Sequence, residues 1–198
     1  VNATTTQHTA AFLFGSESRP QDKFIYADLG ERFPGYKYSF GKSEYRGEDP
    51  GEGGYVYSEP GVYTDVALLD VASMHPTSLI EMNYFGPFTQ KYADLKQTRI
   101  YIKHGEYDKA KKMFGGILEE FLQDPESADM LSEALKIIIN IVYGMTSAKF
   151  DNKFRHKLNQ DNIVAKRGAL FMINLKHEVQ KRGYTVAHIK TDSIKIPN

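Results

Sequence analysis

Two aspartates that are far apart in the sequence each follow a short apolar run that is typical of a strand. Asp70 follows residues 66–69, and Asp192 follows residues 185–191. A carboxylate at the tip of a buried strand loses hydration, so it needs a cation or hydrogen-bond donors nearby. Magnesium is held by one or two carboxylates together with substrate phosphates. If the strands are neighbours, the pair predicts a magnesium site for phosphoryl or nucleotidyl transfer; the alternative is two ordinary turn or capping carboxylates.

A predicted helix between these aspartates places polar side chains on one face. It starts at Asp124, a candidate N-cap residue followed by proline, and extends to about Gly144. Lys136, Asn140 and Tyr143 are spaced i, i+4 and i+7, so they share a face. A cation, an amide and an aromatic ring in this order suit a phosphate, a sugar-phosphate edge and a base. The alternative is a solvated lysine beside a core tyrosine.

The helix before it is predicted to be basic. Arg99 and Lys103 are spaced i and i+4, and both residue types bind phosphate oxygens; the alternative is a solvated face. Residues 90–113 contain Lys or Arg at seven positions and Asp or Glu at three, whereas residues 115–134 contain six carboxylates and no Lys or Arg. The net charge of zero therefore conceals local fields that can steer a polyanion.

Composition restricts the class of protein. With 198 residues and 41% hydrophobic residues, the chain can form an ordinary globular core. The absence of cysteine excludes disulfides and thiolate metal sites. No apolar run approaches the roughly 20 residues that cross a bilayer, and the first residues lack the basic region of a secretory signal. We expect a cytoplasmic protein that does not associate with membranes.

The pattern of elements predicts an α+β fold. Residues 1–48 show no firm periodicity, and residues 48–54 form a turn-rich segment with several glycines, most simply a connecting loop. Strands are predicted at 55–57 and 62–72, and a strand pair within 184–196 with a turn at Thr191-Asp192. Helices are predicted at 87–104, 107–122, 125–144 and 162–182, the last capped by Asp161. The order predicts a sheet that contains both aspartates, with a helical lobe inserted between them.

At three places the chain resembles the family B DNA polymerases, and most closely the phage-type enzymes. The family's first motif, Asp-x-x-Ser-Leu-Tyr-Pro-Ser, is matched by Asp70-Val71-Ala72-Ser73-Met74-His75-Pro76-Thr77. The second, Lys-x-x-x-Asn-Ser-x-Tyr-Gly, is matched by Lys136-Ile137-Ile138-Ile139-Asn140-Ile141-Val142-Tyr143-Gly144. The third, Tyr-Gly-Asp-Thr-Asp-Ser, is matched by His188-Ile189-Lys190-Thr191-Asp192-Ser193. Gly51-Glu52-Gly53-Gly54 is similar to the family's Tyr-x-Gly-Gly hinge, so the resemblance covers about residues 51–198.

The resemblance implies a role for each matching position. Asp70 and Asp192 would be catalytic and would hold two Mg²⁺ ions, for which Mn²⁺ can substitute, with the carbonyl oxygen of Val71 as a further ligand. The incoming deoxynucleoside triphosphate would contact Ser73, Met74 and His75 through their backbone amides, and Arg99, Lys103, Lys136, Asn140 and Tyr143 from the helical lobe. Primer-template DNA would contact Gly53, Gly54, Gly144 and Lys190.

The chain also departs from the family pattern. His75 replaces the tyrosine that excludes a 2′-hydroxyl, which puts sugar selectivity in question. Lys190 replaces the first aspartate of the third motif, whereas the essential metal ligand there, Asp192, is retained. Ile141 and Gly51 are further departures that remove no ligand.

The resemblance implies an antiparallel polymerase palm sheet with packed helices and an inserted fingers lobe. The implied segments are a leader at 1–48, palm at 49–86 and 148–198, and fingers at 87–147. No exonuclease motif precedes residue 48 and no thumb follows the third motif, so we expect a replication enzyme fragment with weak or no activity alone, located in the bacterial host cytoplasm if phage-encoded. The alternatives are a catalytically degenerate module that binds DNA or a replication partner, and a structural α+β domain with chance matches.

Overall fold

A computed structural model describes residues 3–159 and 161–198. Its α-helices in chain order are α1 (Thr5–Phe14), α2 (Leu29–Arg32), α3 (Met74–Glu81), α4 (Thr89–Lys103), α5 (Tyr107–Lys112), α6 (Pro125–Ser147) and α7 (Ile163–Lys181). Its strands are β1 (Lys37–Ser39), β2 (Lys42–Glu44), β3 (Val56–Ser58), β4 (Val66–Asp70), β5 (His188–Lys190) and β6 (Ser193–Pro197). Short 3₁₀ helices occupy Pro20–Lys23, Gly86–Phe88, Met113–Gly116 and Glu119–Leu122. The mixture of helices and two small antiparallel sheets agrees with the predicted α+β class.

The described residues divide into two compact units. The helical unit lies within Val1–Ile25 and Leu79–Lys157, and the sheet unit lies within Tyr26–Ser78 and Leu158–Asn198. The predicted fingers segment, 87–147, falls inside the helical unit. The described residues of the predicted leader, 1–48, are divided between the two units at Ile25 and Tyr26.

Helix α6 begins where the sequence predicts. The side chain of Asp124 accepts a hydrogen bond from the backbone N–H of Ser127 at 2.9 Å, and proline occupies the first turn, where no N–H is needed. The hydroxyl of Tyr92 in α4 donates to the carbonyl oxygen of Ile139 in α6 at 3.2 Å. The buried residues of α6 follow a helical period: Ala128, Ser132, Leu135, Ile139, Val142 and Thr146.

An aromatic cluster forms the core of the helical unit. The ring of Phe14 in α1 lies 5.6 Å from that of Phe24, 5.9 Å from Phe85, 5.2 Å from Phe88 and 5.2 Å from Phe154, measured between centroids. These tilted and edge-to-face contacts are the arrangements that aromatic rings prefer. The cluster joins the start of the chain to the 3₁₀ turn before α4, so the first helix is part of this unit.

The sheet unit is built around a four-stranded antiparallel sheet with the order β3-β5-β6-β4. β5 and β6 form a hairpin in which Ile189 pairs with Ile194, and Thr191 in the turn has a φ of 55°. Both isoleucines are fully buried on one face. Helix α7 covers this face at β3, because Lys176 Nζ lies 4.2 Å from the ring centroid of Tyr57, which pairs with Ile189. The predicted hairpin is therefore confirmed.

Strand β4 differs from its prediction. In the described part of the chain it pairs with β6 alone, and each of its residues is exposed, including Leu68 at 56% and Leu69 at 55%. The prediction that Asp70 ends a buried strand is wrong. An edge strand has a neighbour on one side only, and an apolar sequence does not by itself identify which strand lies at the edge.

The start of α7 also differs from its prediction. The N–H of Ile163 donates to Asn159 Oδ1 at 3.0 Å, whereas Asp161 accepts a hydrogen bond from the Tyr26 hydroxyl at 3.3 Å. Asn162, just before the helix, has a φ of 53°. The prediction that Asp161 caps α7 is wrong, because this left-handed turn brings an earlier side chain to the end of the helix.

Two helical predictions require correction in detail. The segment before residue 48 contains α1, which starts with a reciprocal Thr4–Gln7 capping box that we did not predict. The predicted helix at 107–122 is interrupted after α5, where Phe114 has a φ of 53° and Gly115 a φ of 68°. Left-handed residues cannot continue a right-handed helix. No helix in the described ranges is long and apolar enough to cross a membrane.

Candidate active site

The register of the sheet brings the backbones of the two aspartates close together, offset by one residue. Asp70, the last residue of β4, pairs with Ser193, the first residue of β6. The N–H of Val71 donates to the carbonyl oxygen of Asp192 at 2.8 Å. Neighbouring strands lie about 4.8 Å apart. The fold thus brings together the backbones of two residues that the sequence separates widely.

Both aspartates are exposed. Within residues 3–159 and 161–198, neither carboxylate has a salt bridge or a side-chain hydrogen bond. The described residues contain no group of three or more His, Asp or Glu side chains placed to hold a metal ion. A divalent ion here would need these two carboxylates completed by backbone oxygen, water or substrate phosphate, which is the donor set that magnesium accepts.

The chain after Asp70 leads into the N-terminus of α3. Ser73 has a φ of 52°, and α3 begins at Met74, so the first-turn N–H groups have no intrahelical acceptors. Such a helix end attracts anions. The side chain of Met74 is buried, and Gly168 in α7 makes room for it, since a Cβ at residue 168 would lie 2.8 Å from Met74 Sδ. Met74 can therefore meet a phosphate only through its backbone N–H, and the contact itself stays a prediction.

His75, in the first turn of α3, is electrostatically coupled to Asp192. Burial lowers the pKa of the His75 imidazole below its usual value, and the charge of Asp192 opposes this by raising it. The neutral imidazole is therefore favoured near pH 7. His75 thus lies within electrostatic range of the predicted metal ligand.

Gly54 positions the turn that contains Asp192. Its φ is 137°, and a Cβ there would lie 2.7 Å from Thr191 Oγ1. The N–H of Thr191 donates to the carbonyl oxygen of Tyr55 at 2.9 Å. Gly53, in contrast, has open space around it. The predicted DNA contacts of Gly53 and Gly54 stay predictions, whereas the close approach of Gly54 is to the chain's own hairpin turn.

Lys190 lies on the same face of the sheet as Asp70. Both residues pair with Ser193, from opposite sides, and directly paired residues point to one face. Two strand spacings correspond to about 10 Å. Lys190 is exposed. The substituted position of the third motif therefore adds a positive charge to the face that contains Asp70.

The remaining predicted residues lie in the helical unit. Lys136, Asn140 and Gly144 are exposed on α6, and Tyr143 is half-buried. Lys136 Nζ lies 3.3 Å from Glu133 Oε2, in a pair whose side chains are 50% and 62% exposed. Surface pairs of this kind contribute about 0–1 kcal/mol, so Glu133 does not hold Lys136 in place. Lys136 and Asn140 are thus both exposed on α6, and their i, i+4 spacing places them on one face of the helix.

The two basic residues of α4 have different surroundings. Arg99 is half-buried, and its Nε donates to the carbonyl oxygen of Ser132 in α6 at 3.3 Å. This contact places the guanidinium one helical turn before Lys136. Lys103, the last residue of α4, is exposed. Arg99 and Lys136 are thus on adjoining helices of one unit, and their nucleotide contacts stay predictions.

A buried polar cluster in the sheet unit was not predicted. Lys176 Nζ donates to Glu48 Oε1 at 2.5 Å and to the Tyr55 hydroxyl oxygen at 2.7 Å, and the Tyr55 hydroxyl donates to Glu48 Oε1. His177 Nε2 lies 3.2 Å from Glu48 Oε2. Burial alone would raise the pKa of Glu48, but the hydrogen bonds from Lys176 and Tyr55 outweigh it, so the pKa is lowered. The cluster ties the segment before β3 to α7.

The sequence did contain a signal for this cluster. Lys166 and Lys176 fall on the apolar stripe of α7, at a helical period with Leu170 and Ile173, and both lysines are almost fully buried. A lysine within an apolar stripe needs an acidic or polar partner. The sequence pattern does not identify that partner, because Glu48 is remote along the chain.

No protein-family model matches the chain, and no curated protein sequence is significantly similar to it.

Proposed function

We propose that this chain is the palm and fingers part of a family B DNA polymerase, which transfers deoxynucleotides to a primer 3′-hydroxyl under the direction of a template. The observation that supports this most strongly is the β4–β6 register, which pairs Asp70 with Ser193 and so brings the backbone of Asp192 close to it, with both aspartates exposed. It supports the proposal because the first and third motifs require their aspartates to share metal ions. A pair of chance matches would not be expected to become adjacent on folding.

In this proposal the sheet unit supplies the metal ligands. Asp70, Asp192 and the carbonyl oxygen of Val71 hold two Mg²⁺ ions. When bound, these ions lower the pKa of the attacking hydroxyl and neutralise the leaving pyrophosphate. The first-turn N–H groups of α3 donate hydrogen bonds to phosphate oxygens. The neutral His75 imidazole provides a flat, uncharged surface beside the sugar in place of a phenol.

The helical unit supplies the cationic contacts. Arg99, Lys103 and Lys136 neutralise the triphosphate, which carries its charge whether or not a metal is bound. Asn140 donates from its amide to a phosphate or sugar oxygen, and Tyr143 borders the nascent base pair. The exposed Gly144 leaves space for the template strand. The proposed partners are therefore primer-template DNA and deoxynucleoside triphosphates.

Lys190 favours a second candidate function, a degenerate polymerase module that binds DNA without catalysis. Its ammonium group lies on the face that contains Asp70, in a row of paired residues. A fixed positive charge there reduces the need for a metal ion and offers a contact for a DNA phosphate. Under this alternative the chain binds primer-template DNA, but its divalent-ion affinity is weak and does not depend on Asp192.

Titration of the protein with Mn²⁺, followed by calorimetry or by the electron paramagnetic resonance signal of free Mn²⁺, separates these functions. We expect Asp70→Asn and Asp192→Asn each to weaken binding by more than about tenfold, since loss of even an outer-shell contact has that effect. Asp65→Asn is the matched control, because Asp65 is exposed at the other end of β4 and its φ of 50° suits asparagine. Unchanged Mn²⁺ binding in both active-site variants would refute the metal site.

A second measurement tests the helical unit. We expect Lys136→Ala to weaken deoxynucleoside triphosphate binding in the presence of Mn²⁺ by several-fold, through loss of a charge-assisted contact. Glu133→Gln is its control, since it removes the ion-pair partner and keeps the lysine. Single-nucleotide extension of a primed template that Asp192→Asn abolishes would establish the enzyme; DNA binding with no extension at any Mn²⁺ concentration would favour the degenerate module.

A further inference from the structure

An apolar groove opens on the surface of the helical unit. One cavity of about 300 Å³ is lined almost entirely by apolar groups from α1, the 3₁₀ segments and α6, among them Phe12, Phe114 and Ile117. A second cavity of about 350 Å³ is lined by Phe121, Met130 and their neighbours. The two cavities share Leu131 and Ala134, so they adjoin along α6, and together they are called the groove below.

The groove leaves large apolar side chains in water. Ile117 is 62% exposed, Phe121 47% and Met130 69%. Isolated exposed apolar residues are ordinary, but several large ones around connected apolar cavities are typical of a binding surface. Methionine is also over-represented at surfaces that accept varied apolar partners. The groove therefore gains free energy if a partner covers it.

Helix α6 has an apolar stripe that its own unit does not bury. Met130, Leu131, Ala134 and Ile138 line the cavities and are spaced i, i+1, i+4 and i+8, beside the buried stripe. The apolar face of α6 is thus wider than the part that packs against α4. Such a face with cavities beside it is the shape that accepts the i, i+3 and i+7 side chains of another helix.

The opposite wall of the groove has a fixed shape. Phe114 has a φ of 53°, in the left-handed region, and its ring packs edge-on against Phe12 at 5.3 Å between centroids. This contact joins the 3₁₀ segment to α1. The wall of the groove is therefore packed against the rest of the helical unit.

The rim of the groove is acidic. On α6, Glu126 precedes Met130 by four residues and Glu133 follows it by three, so both carboxylates flank the exposed methionine. Glu119 and Glu120 precede Phe121 on the other wall. Residues 115–134 contain no Lys or Arg. Cations also lie near this region: Lys91, whose Nζ is 4.4 Å from the Phe12 ring centroid, and Lys136, which pairs with Glu133. Lys111 and Lys112 directly precede the 3₁₀ segment that contains Phe114.

We propose that this groove binds the apolar face of a basic amphipathic helix from another polypeptide. The apolar floor fits leucine-sized side chains, and the carboxylate rim selects Lys or Arg on the flanks of the bound helix. An acidic helix or an anionic membrane surface would be repelled by the same rim. The inference does not depend on the polymerase proposal, because no residue of the groove belongs to the proposed site.

The test uses three fluorescently labelled peptides of 18 residues. The first is an amphipathic helix of Leu and Lys, the second has the same composition in scrambled order, and the third is the first with Glu in place of Lys. We expect saturable anisotropy changes with the first peptide only. Equal binding of the scrambled peptide would overturn the proposal in favour of non-specific charge attraction.

Variants of the chain locate the binding surface. We expect Met130→Ser and Phe121→Ser each to weaken peptide binding by about tenfold, as loss of a buried anchor does. Glu126→Gln should weaken it less and reduce its dependence on salt. Val62→Ser is the matched control, because Val62 is fully exposed in the sheet unit and its substitution should change nothing. Unchanged binding in both serine variants with a retained circular dichroism spectrum would overturn the assignment.

Asp70→Asn and Asp192→Asn should leave peptide binding unchanged, so failure of the active-site proposal and failure of this one are distinguishable. Sedimentation that detects a dimer, abolished by Met130→Ser, together with no peptide binding, would overturn the proposal and assign the groove to a second copy of the chain.

Discussion

Glu48 and the Asp70–Asp192 pair are carboxylates of the same unit in opposite surroundings. Glu48 accepts hydrogen bonds from Lys176 and Tyr55, both almost fully buried. Asp70 and Asp192 are exposed and, in the described ranges, have no side-chain partner. The first arrangement satisfies its charge with the chain's own groups, so it serves stability. The second leaves its charge available to an ion or ligand from solution.

The two environments differ in whether the carboxylate charge is already balanced within the fold. A buried ion pair that loses one partner leaves an unpaired charge, and this is strongly destabilising. Removal of an exposed charge that has no partner within the fold has little effect on stability. Substitution of Glu48 should therefore lower the stability of the fold, whereas substitution of Asp70 or Asp192 should weaken ion binding and leave stability almost unchanged.

The largest effect is expected for Glu48→Gln. It leaves the ammonium of Lys176 buried without its carboxylate, and we expect a loss of about 3 kcal/mol in the free energy of unfolding, the lower end for such pairs because Glu48 is partly exposed. Chemical denaturation measures it. His177→Gln is the control, since its contact with Glu48 is more exposed and its loss should cost less than about 1 kcal/mol. Similar costs in the two variants would contradict the cluster.

The next effect is expected for Gly54→Ala. A Cβ at this position would lie 2.7 Å from Thr191 Oγ1, and its φ of 137° disfavours an L residue, so we expect a loss of about 1–3 kcal/mol. The same substitution at Gly144 is the control. Gly144 lies within α6 with open space around it, so Gly144→Ala should stabilise by about 0.5–1 kcal/mol. Thermal unfolding of both variants checks the two signs, and stabilisation by Gly54→Ala would contradict the packing against the turn.

A smaller effect concerns pH. Burial lowers the folded-state pKa of His75, so the unfolded chain binds a proton first as the pH falls. This contribution to stability is complete above the unfolded value near 6.5 and is lost as the pH falls through and below it. Asp192→Asn removes the charge that raises the pKa of His75, so the pKa should fall further, as measured by NMR of the imidazole signals. An unchanged His75 pKa would contradict the proximity of the two residues; Asp65→Asn serves as the control.

The smallest effect on stability is expected for Asp70→Asn. The side chain is exposed and has no partner in the described ranges, so the free energy of unfolding should change by no more than about 0.5 kcal/mol. Chemical denaturation measures it beside Glu48→Gln. A loss of several kcal/mol would mean that Asp70 is structural, and the contrast between the two carboxylate environments would disappear.

Local signals in the sequence predicted several element boundaries correctly. The start of α6 follows from Asp124 and the proline after it, and the end of α7 from Gly183, which has a φ of 88°. The hairpin turn at Thr191-Asp192 follows from strand periodicity on either side. These features depend on neighbours in the chain, so their physical causes are present in the sequence. The short capping box at Thr4 has the same kind of cause, but its helix has weak amphipathicity, and we did not predict it.

Other features depend on contacts between distant segments. Nothing near Asp70 in the sequence specifies that β4 lies at an edge, and nothing near Lys176 specifies Glu48 as its partner. Asp161 is a good capping residue by type, yet a left-handed turn at Asn162 gives that role to Asn159. In each case local chemistry permits several partners, and packing selects one.

The sequence by itself determined which residues have the chemistry for metal and phosphate binding, and where many helices and turns begin and end. Only the tertiary structure decided that the backbones of Asp70 and Asp192 lie close together, that both side chains are exposed, and that Glu48 balances the charge of Lys176. The physical reason is that capping and turn formation are governed by hydrogen bonds within a few residues. Strand register and burial are governed by the packing of segments that are remote along the chain.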